Sequence, residues 1–233
     1  MPKNKLRRFA DMVTYPNVIA PKFEEVFRTD FRLKGCWKNE VFGNDRPLVL
    51  ELGCGKGEYT VALARKYPEK NHIGVDIKGS RMWVGATDAL QNHLTNVAFL
   101  RTRIEFITSC FASGEVSEIW ITFPDPQPQE SRVNKRLTSA RFLQSYREIL
   151  QLGGIIHLKT DSKGLFDYTC KIAELNHLDV HVCTSDLYHS GIADDILSVQ
   201  TYYEKMFMNQ GFTIKYLKFS IPESITLVEL PKL

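Results

Sequence analysis

A glycine-rich turn separates an apolar run from a helical pattern in residues 49–77, VLELGCGKGEYTVALARKYPEKNHIGVDI. The apolar run at 48–52 predicts a strand, and residues 59–67 carry apolar side chains at helical spacing. A second strand is predicted at 72–77. Glycines at 53, 55 and 57 allow positive φ angles and let a ligand approach the backbone closely. The stretch therefore predicts a β-α-β unit whose turn binds a ligand.

Strands and helices alternate through the rest of the chain. We predict further strands at 97–102, 117–123, 154–160, 178–184 and 214–221, and helices at 80–94, 104–112, 139–150, 165–176 and 197–211. Ser80 is the predicted N-cap of the helix at 80–94, and Gly153 and Gly154 are predicted to end the helix at 139–150. The alternation predicts an α/β fold with a mostly parallel seven-stranded sheet, an antiparallel last strand and helices on both faces.

Positive charge is concentrated near the N-terminus. Residues 1–40 contain nine Lys and Arg against five Asp and Glu, whereas the whole chain has a net charge of +3. Two interpretations stay open, a solvated tail and an arm that binds phosphates. We divide the chain into a basic arm and lead-in segment at 1–40, a central domain at 41–222 and a tail at 223–233.

The cysteines and the apolar runs limit the class of protein. No apolar run approaches the length that spans a membrane, and residues 1–12 do not resemble a secretory signal. Five scattered cysteines without a C-x-x-C pair favour free thiols in a reducing cytoplasm over a metal site. We therefore expect a cytoplasmic protein with no membrane and no metal partner, as a monomer or a homodimer.

The residues around the turn distinguish between nucleotide cofactors. A dinucleotide fingerprint places its third glycine at position 58, which is Glu58 here. Glu51 precedes the first glycine by two residues, where a pyrophosphate is disfavoured and the cationic S-adenosylmethionine is favoured. Asp76 ends the second strand and suits ribose hydroxyls, which fits NAD equally well. A plain structural turn is the remaining alternative.

Four predicted strands end in an acidic residue: Glu51, Asp76, Asp125 and Asp161. Ligands of open α/β sheets bind beyond the carboxyl ends of the strands. Any single acid there has the alternative role of a helix cap. Together they predict an acidic cleft for a cationic cofactor and for the N–H edge of a base.

A proline-rich segment follows the fourth predicted strand, at 121–137, ITFPDPQPQESRVNKRL. Prolines on both sides of Asp125 restrict the backbone there. The cations Arg132, Lys135 and Arg136 follow on a predicted loop. They form either a solvated charged face or a track for RNA phosphates beside the acid.

These segments resemble the bacterial tRNA (guanine-N7-)-methyltransferase family, whose members are Rossmann-like class I methyltransferases. The resemblance rests on LELGCGKGEYTVALA, IGVDIKGSR, FPDPQPQ with NKRL, GIIHLKTD, DLY and TYYEKMF. It implies methyl transfer from S-adenosylmethionine to N7 of a guanine in the variable loop of tRNA. N7 would attack the sulfonium methyl directly and in line, which leaves S-adenosylhomocysteine and a cationic base. The partner it implies is therefore tRNA.

The resemblance also implies roles for individual residues. Asp125 would be the catalytic residue. The cofactor would contact Glu51, Gly53, Gly55, Gly57, Asp76, Arg103 and Asp125. The substrate would contact Gln129, Asp161, Thr201, Tyr202, Tyr203 and Glu204. The RNA would contact Arg132, Lys135 and Arg136.

Three positions depart from the family pattern. Gln127 replaces a tryptophan that many relatives carry after P-D-P. Gln129 replaces a common lysine, and Arg103 replaces an acid near the end of the third strand. Side-chain roles at 103 and 129 are therefore in question.

The residues leave other functions open. One is a methyltransferase that acts on another RNA, a protein or a small molecule. A second is an RNA-binding module without catalysis, and a third is an NAD-dependent protein. The basic arm argues against a small substrate, the intact acids and glycines argue against loss of catalysis, and Glu58 argues against NAD.

Overall fold

The structure is a computed structural model that describes residues 2–231, without the side chains of residues 2–4 and 203. Its strands are β1 (Val18–Ile19), β2 (Leu48–Leu52), β3 (Asn71–Val75), β4 (Val97–Leu100), β5 (Val116–Thr122), β6 (Leu150–Thr160), β7 (Asp179–Thr184) and β8 (Lys215–Ser220). Its α-helices are α1 (Pro2–Thr14), α2 (Glu58–Lys66), α3 (Gly79–Gln91), α4 (Ile107–Cys110), α5 (Ala140–Ile149), α6 (Lys163–Leu175) and α7 (Tyr202–Asn209).

One sheet joins all eight strands in the order β1-β4-β3-β2-β5-β6-β8-β7. The pairs from β1 to β6 are parallel, and β8 is antiparallel to both of its neighbours. The predicted fold class is confirmed, with an antiparallel last strand. The sheet has eight strands rather than seven because β1 pairs with β4. Strand β1 has two residues, which are too few to show a periodic pattern in the sequence.

Strand β2 lies near the centre of the sheet, and every one of its residues is buried. Its run of apolar residues, interrupted by Glu51, reflects burial on both faces, as expected for a parallel strand covered by helices. Its carboxyl end lies beside those of β3 and β5, and β6 follows β5. The segments that leave these four strands therefore meet at one edge of the sheet.

Several predicted boundaries differ from the structure. Helix α3 begins at Gly79 with Lys78 as its N-cap, so the prediction of Ser80 as the cap is wrong. Helix α5 ends at Ile149 and β6 starts at the next residue, so Gly153 and Gly154 lie inside a strand. There Gly153 has a φ of 70°, close to a register shift in the β5–β6 pairing, which is typical of a bulge.

Two other predicted helices are shorter than expected. The segment 104–112 forms a 3₁₀ turn (Ile104–Phe106) followed by the single turn α4. The helix predicted at 197–211 begins only at Tyr202. The carbonyls of Leu197 and Val199 accept hydrogen bonds from the Lys159 ammonium at 2.6 and 3.1 Å instead of helical bonds.

The basic N-terminal segment forms α1, which packs on α3. The indole of Trp83 donates a hydrogen bond to Asp11 at 3.0 Å, and the guanidinium of Arg8 lies 4.8 Å from the Trp83 ring centre. Tyr15 bonds to Thr87 at 3.0 Å. Lys5 and Arg7 stay exposed on this helix. Between residues 2 and 231, the structure contains no helix with the length and apolar character needed to cross a bilayer.

Candidate active site

A cleft of about 710 Å³ lies at the carboxyl ends of β2, β3, β5 and β6. All four acids predicted at the strand ends line it, so their predicted clustering is confirmed. A smaller cavity of about 350 Å³ shares Gly53, Asp76, Lys135 and Leu137 with this cleft and extends it to Arg103. The main cleft is lined by Glu51, Gly53, Cys54, Gly55, Lys56, Glu58, Asp76, Lys78, Arg81, Thr122, Phe123, Pro124, Asp125, Pro126, Lys135, Leu137, Asp161, Thr201 and Phe207.

The three glycines of the turn have different surroundings. All have positive φ angles, of 79° at Gly53, 55° at Gly55 and 72° at Gly57. A Cβ atom on Gly55 would meet nothing nearer than 3.9 Å, whereas one on Gly57 would lie 2.5 Å from Phe99. Gly53 and Gly55 line the cleft, while Gly57 is buried beneath it. Gly57 is therefore required for packing, and it presents no surface to the cleft.

Asp76 holds the turn in shape. Its carboxylate accepts the amide of Gly55 at 2.8 Å and the amide of Lys78 at 2.7 Å. The side chain is partly exposed at the cleft wall. One carboxylate thus fixes both the glycine turn and the entry into α3.

Glu51 is a buried carboxyl group at the cleft wall, with 2 % of its surface exposed. The Thr122 hydroxyl donates a hydrogen bond to it at 2.5 Å, and the Thr60 hydroxyl donates another. Burial raises its pKa to about 7, against an ordinary value of 4.5. A cation in the cleft would favour the ionised form, so Glu51 suits a positively charged ligand.

Residues 123–127 around Asp125, called the acid–proline segment below, have an unusual backbone. Phe123 and Gln127 both have positive φ angles, of 48° and 43°, which non-glycine residues rarely adopt. The carbonyl of Lys159 on β6 accepts the Phe123 amide at 2.8 Å, and Asp125 accepts the Gln127 amide at 3.1 Å. Asp125 itself is exposed to the cleft. Strain of this kind clusters at functional sites.

Asp161 follows β6 and lines the same cleft. It is partly buried, and burial raises its pKa. The Lys215 ammonium donates to the main-chain carbonyl of Asp161 at 3.0 Å. The carboxylate therefore keeps acceptor capacity for a ligand donor, because Lys215 bonds the backbone.

The predicted RNA-contact residues have different environments. Lys135 is exposed and lines the cleft, and Arg132 is exposed on the 3₁₀ helix Glu130–Lys135. Gln129 is the exposed N-cap of that helix and does not line the cleft. Arg136 is partly buried, and its Nε donates to the Gln127 carbonyl at 3.1 Å. Arg136 therefore differs from the other two cations.

Residues 197–211, called the late segment below, border the cleft. Thr201 lines the cleft and caps α7, since its hydroxyl accepts the Glu204 amide at 3.3 Å. The Tyr202 amide donates to Glu58 at 3.0 Å, and the Lys56 ammonium lies 3.7 Å from the Tyr202 ring centre. The side chain of Tyr203 lies outside the described part of the chain.

Glu204 does not line the cleft, although the resemblance implies a substrate contact there. Its side chain is fully buried and pairs with Lys159 at 2.9 Å. The Tyr188 hydroxyl donates to it at 2.6 Å. In this geometry Glu204 fastens the late segment to β6.

Sequence reasoning missed several residues of the site. Thr122 and Thr60 bond Glu51, and Glu58 bonds α7. Thr122 had a signal in the sequence, because it lies near the end of the strand predicted at 117–123, directly before the acid–proline segment. No sequence pattern predicted the role of Lys159, because its hydrogen-bond partners lie about forty residues later in the chain. Among the residues whose positions are described, no cluster of three His, Cys, Asp or Glu side chains could hold a metal ion.

Comparison with known proteins identifies the family. The family described as "Putative methyltransferase" matches residues 45–217. A tRNA (guanine-N(7)-)-methyltransferase of Bacteroides thetaiotaomicron is 56 % identical over 98 % of this chain and 90 % of its own length. The chain belongs to the tRNA (guanine-N(7)-)-methyltransferase family. Another member, from Christiangramia forsetii, is 50 % identical over 94 % of this chain and 98 % of its own length.

A solved structure outside this family shares the fold. The crystal structure of the 16S rRNA methyltransferase KamB superposes with a TM-score of 0.60 over 78 % of this chain and 91 % of its own. Its sequence is 17 % identical, so the likeness concerns the fold alone. The family members and this neighbour agree on a methyltransferase architecture.

Proposed function

We propose that this protein transfers a methyl group from S-adenosylmethionine to N7 of a guanine in the variable loop of tRNA. One observation carries the proposal: four acids from four neighbouring strands line a single cleft. The names of its relatives specify tRNA and guanine N7, and this limits the choice of substrate that we propose. The acidic cleft explains why a cationic methyl donor and a guanine edge fit the same site.

The residues of the cleft fit S-adenosylmethionine. Glu51 would hold its positive charge, because a buried carboxyl group of raised pKa is stabilised by a neighbouring cation. Asp76 would take the ribose hydroxyls, and Gly53 and Gly55 leave room for the ligand beside the turn. Arg103 borders the adjoining cavity. When bound, the cofactor supplies an electrophilic methyl group on a sulfonium.

Guanine N7 needs orientation more than proton removal. It has a lone pair and no proton, so the protein requires no strong general base there. Asp125 and Asp161 are acceptors that line the cleft, and they would bind the N1–H and N2–H₂ edge of the base. Orientation of this kind accounts for roughly 7–11 kcal/mol in favourable cases. The carboxylates also stabilise the positive charge that the base gains on methylation.

Exposed cations around the cleft would bind the RNA backbone. Lys135 lies at the cleft and Arg132 lies on the adjoining helix. Lys5 and Arg7 extend the basic surface along α1, which belongs to the proposed arm at 1–40. Contacts to phosphates fix the position of the RNA and leave recognition of the guanine to the acids of the domain at 41–222.

The compartment and the assembly are also proposals. A tRNA substrate and five free cysteines favour the cytoplasm, where thiols stay reduced. The assembly we propose is a monomer or a homodimer.

Mass-spectrometric mapping of methyl groups tests the proposal directly. Unmodified tRNA is incubated with the protein and isotope-labelled cofactor, and a small-molecule extract and ribosomal RNA serve as competing substrates. We expect label on N7 of one variable-loop guanine. Label on another RNA or on a small molecule would favour the other methyltransferase functions. Calorimetry that detects no cofactor binding would leave a non-catalytic RNA-binding module.

A further inference from the structure

Arg136 has the contacts of a structural side chain, although it follows two exposed cations in sequence. Its guanidinium lies 4.3 Å from the ring centre of Tyr168, and its Nε donates to the Gln127 carbonyl at 3.1 Å. The residue is partly buried, whereas Arg132 and Lys135 are exposed. Its hydrogen bond is directed toward the acid–proline segment.

The carbonyl that Arg136 binds belongs to a strained residue beside Asp125. Gln127 has a φ of 43°, a conformation that costs roughly 1–2 kcal/mol for a residue other than glycine. Its amide donates to the Asp125 carboxylate at 3.1 Å. The same residue is thus bonded to Asp125 at its N–H and to Arg136 at its carbonyl. Loss of either bond would let Gln127 relax and Asp125 turn.

Tyr168, on which Arg136 stacks, is itself held in place by Glu229. Tyr168 on α6 is buried, and its hydroxyl donates to Glu229 at 2.7 Å. The other oxygen of Glu229 accepts the amide of Ala140 at the start of α5, at 3.2 Å. The segment that follows β8 is therefore anchored to two helices at the point where Tyr168 supports Arg136.

We propose that Arg136 is a positioning residue for Asp125, held in place by Tyr168 and Glu229. The inference rests on the proposed role of Asp125 in methyl transfer. It assigns to Arg136 a role other than the RNA contact that its sequence position suggests. It also gives a function to the tail at 223–233, because Glu229 in that tail supports the acid–proline segment from outside the cleft.

Arg136→Lys separates the two roles. It keeps the positive charge that an RNA phosphate would need, but it lacks the planar guanidinium that donates to Gln127 while stacking on Tyr168. We expect kcat to fall about 10- to 100-fold, since small misplacements of catalytic groups have effects of this size. The KM for tRNA and the salt dependence of binding should stay close to wild type. Wild-type kcat in Arg136→Lys would overturn the proposal.

Two further variants control for general effects of the substitution. Arg141→Lys makes the same chemical change at an exposed position on α5 and should keep both kcat and KM. Tyr168→Phe retains the ring under Arg136 but removes the bond to Glu229, so a smaller loss of kcat is expected. Thermal unfolding of each variant shows whether it is folded. A loss of kcat in Arg141→Lys equal to that in Arg136→Lys would contradict a specific role.

A double-mutant cycle with Asp125→Ala tests whether Arg136 acts through Asp125, because alanine removes the acceptor altogether. Single-turnover rates are measured with enzyme in excess. If Arg136 only positions Asp125, Arg136→Lys should change the rate little in the Asp125→Ala background. Equal effects in both backgrounds would refute the coupling. A wild-type rate in Asp125→Ala would instead refute the proposed role of Asp125, so the two failures are distinguishable.

Discussion

The two ends of the cleft hold their acids in opposite ways. At the glycine-turn end, formed by Glu51 and Asp76, both carboxyl groups already accept hydrogen bonds from threonine hydroxyls or from their own turn. At the acid–proline end, formed by Asp125 and Asp161, each acid binds no more than one backbone amide among the hydrogen bonds described for residues 2–231. One end is assembled before any ligand arrives, and the other keeps its acceptors available.

This difference matches the ligands that the two ends would bind. A small cofactor gains affinity from a site that is already ordered, because little freedom is lost on binding. A base presented by a large RNA must be recognised through its N–H edge, which requires acceptors that are not already occupied. The comparison predicts that substitutions at the acid–proline end change the rate, and those at the glycine-turn end change cofactor affinity or stability.

Asp125→Ala should have the largest effect. It removes an acceptor at the proposed point of methyl transfer, and we expect kcat to fall about 100- to 1,000-fold, as for the loss of a group that stabilises transition-state charge. The dissociation constants for cofactor and tRNA, measured by calorimetry and filter binding, should change far less. An unaltered kcat would remove the distinction between the two ends.

Gly57→Ala and Gly55→Ala should separate packing from ligand contact. A Cβ on Gly57 would clash with Phe99 at 2.5 Å and would force a positive φ on alanine, so a loss of about 3 kcal/mol in unfolding free energy is expected. Gly55→Ala forces a positive φ on alanine without a clash, so the unfolding free energy should fall by only about 1 kcal/mol. The added methyl group should also weaken cofactor binding. Urea denaturation and calorimetry measure the two quantities. Equal losses of stability would contradict the assigned roles.

Glu51→Gln should lower cofactor affinity about tenfold, because a neutral amide does not balance a cation. Glu51 has a folded pKa near 7, above its ordinary 4.5, so its contribution to stability is complete below pH 4.5 and is lost as the pH rises through 7. Glutamine resembles the protonated form, so the variant should gain in Tm relative to wild type between pH 5 and pH 8. Wild-type protein should release a proton when it binds cofactor at pH 6, and the variant should not.

Neutralising Lys5 and Arg7 should have the smallest effect. Both are exposed on α1, well outside the acids of either end, and they would touch only phosphates. The slope of log affinity for tRNA against log salt should fall by about 0.7–0.9 for each lost contact, with kcat retained at saturating tRNA. A slope identical to wild type would show that α1 does not extend the RNA-binding surface.

The sequence predicted the parts of this structure that depend on neighbouring residues. Alternation of apolar runs located all seven long strands, and the spacing of acids after them located the cleft. Prediction from the sequence failed where the local structure depends on a residue far away in the chain. Helix α7 starts late because Lys159 binds the carbonyls before it, and Glu204 is buried by the same lysine.

Arg136 shows a second reason for failure. Three cations in a short loop look alike in sequence, and the one nearest to Tyr168 turns inward. Nothing in the spacing of residues 132–136 distinguishes them. The aromatic partner comes from α6, more than thirty residues later in the chain, so the contact appears only in the folded protein.

The buried pair of Lys159 and Glu204 limits how the late segment can settle on the sheet. If α7 slid along β6 by one turn, both charges would be left in apolar surroundings, and each isolated ion would cost several kcal/mol. The late segment consequently has a single position along β6, and this position places Thr201 at the wall of the cleft.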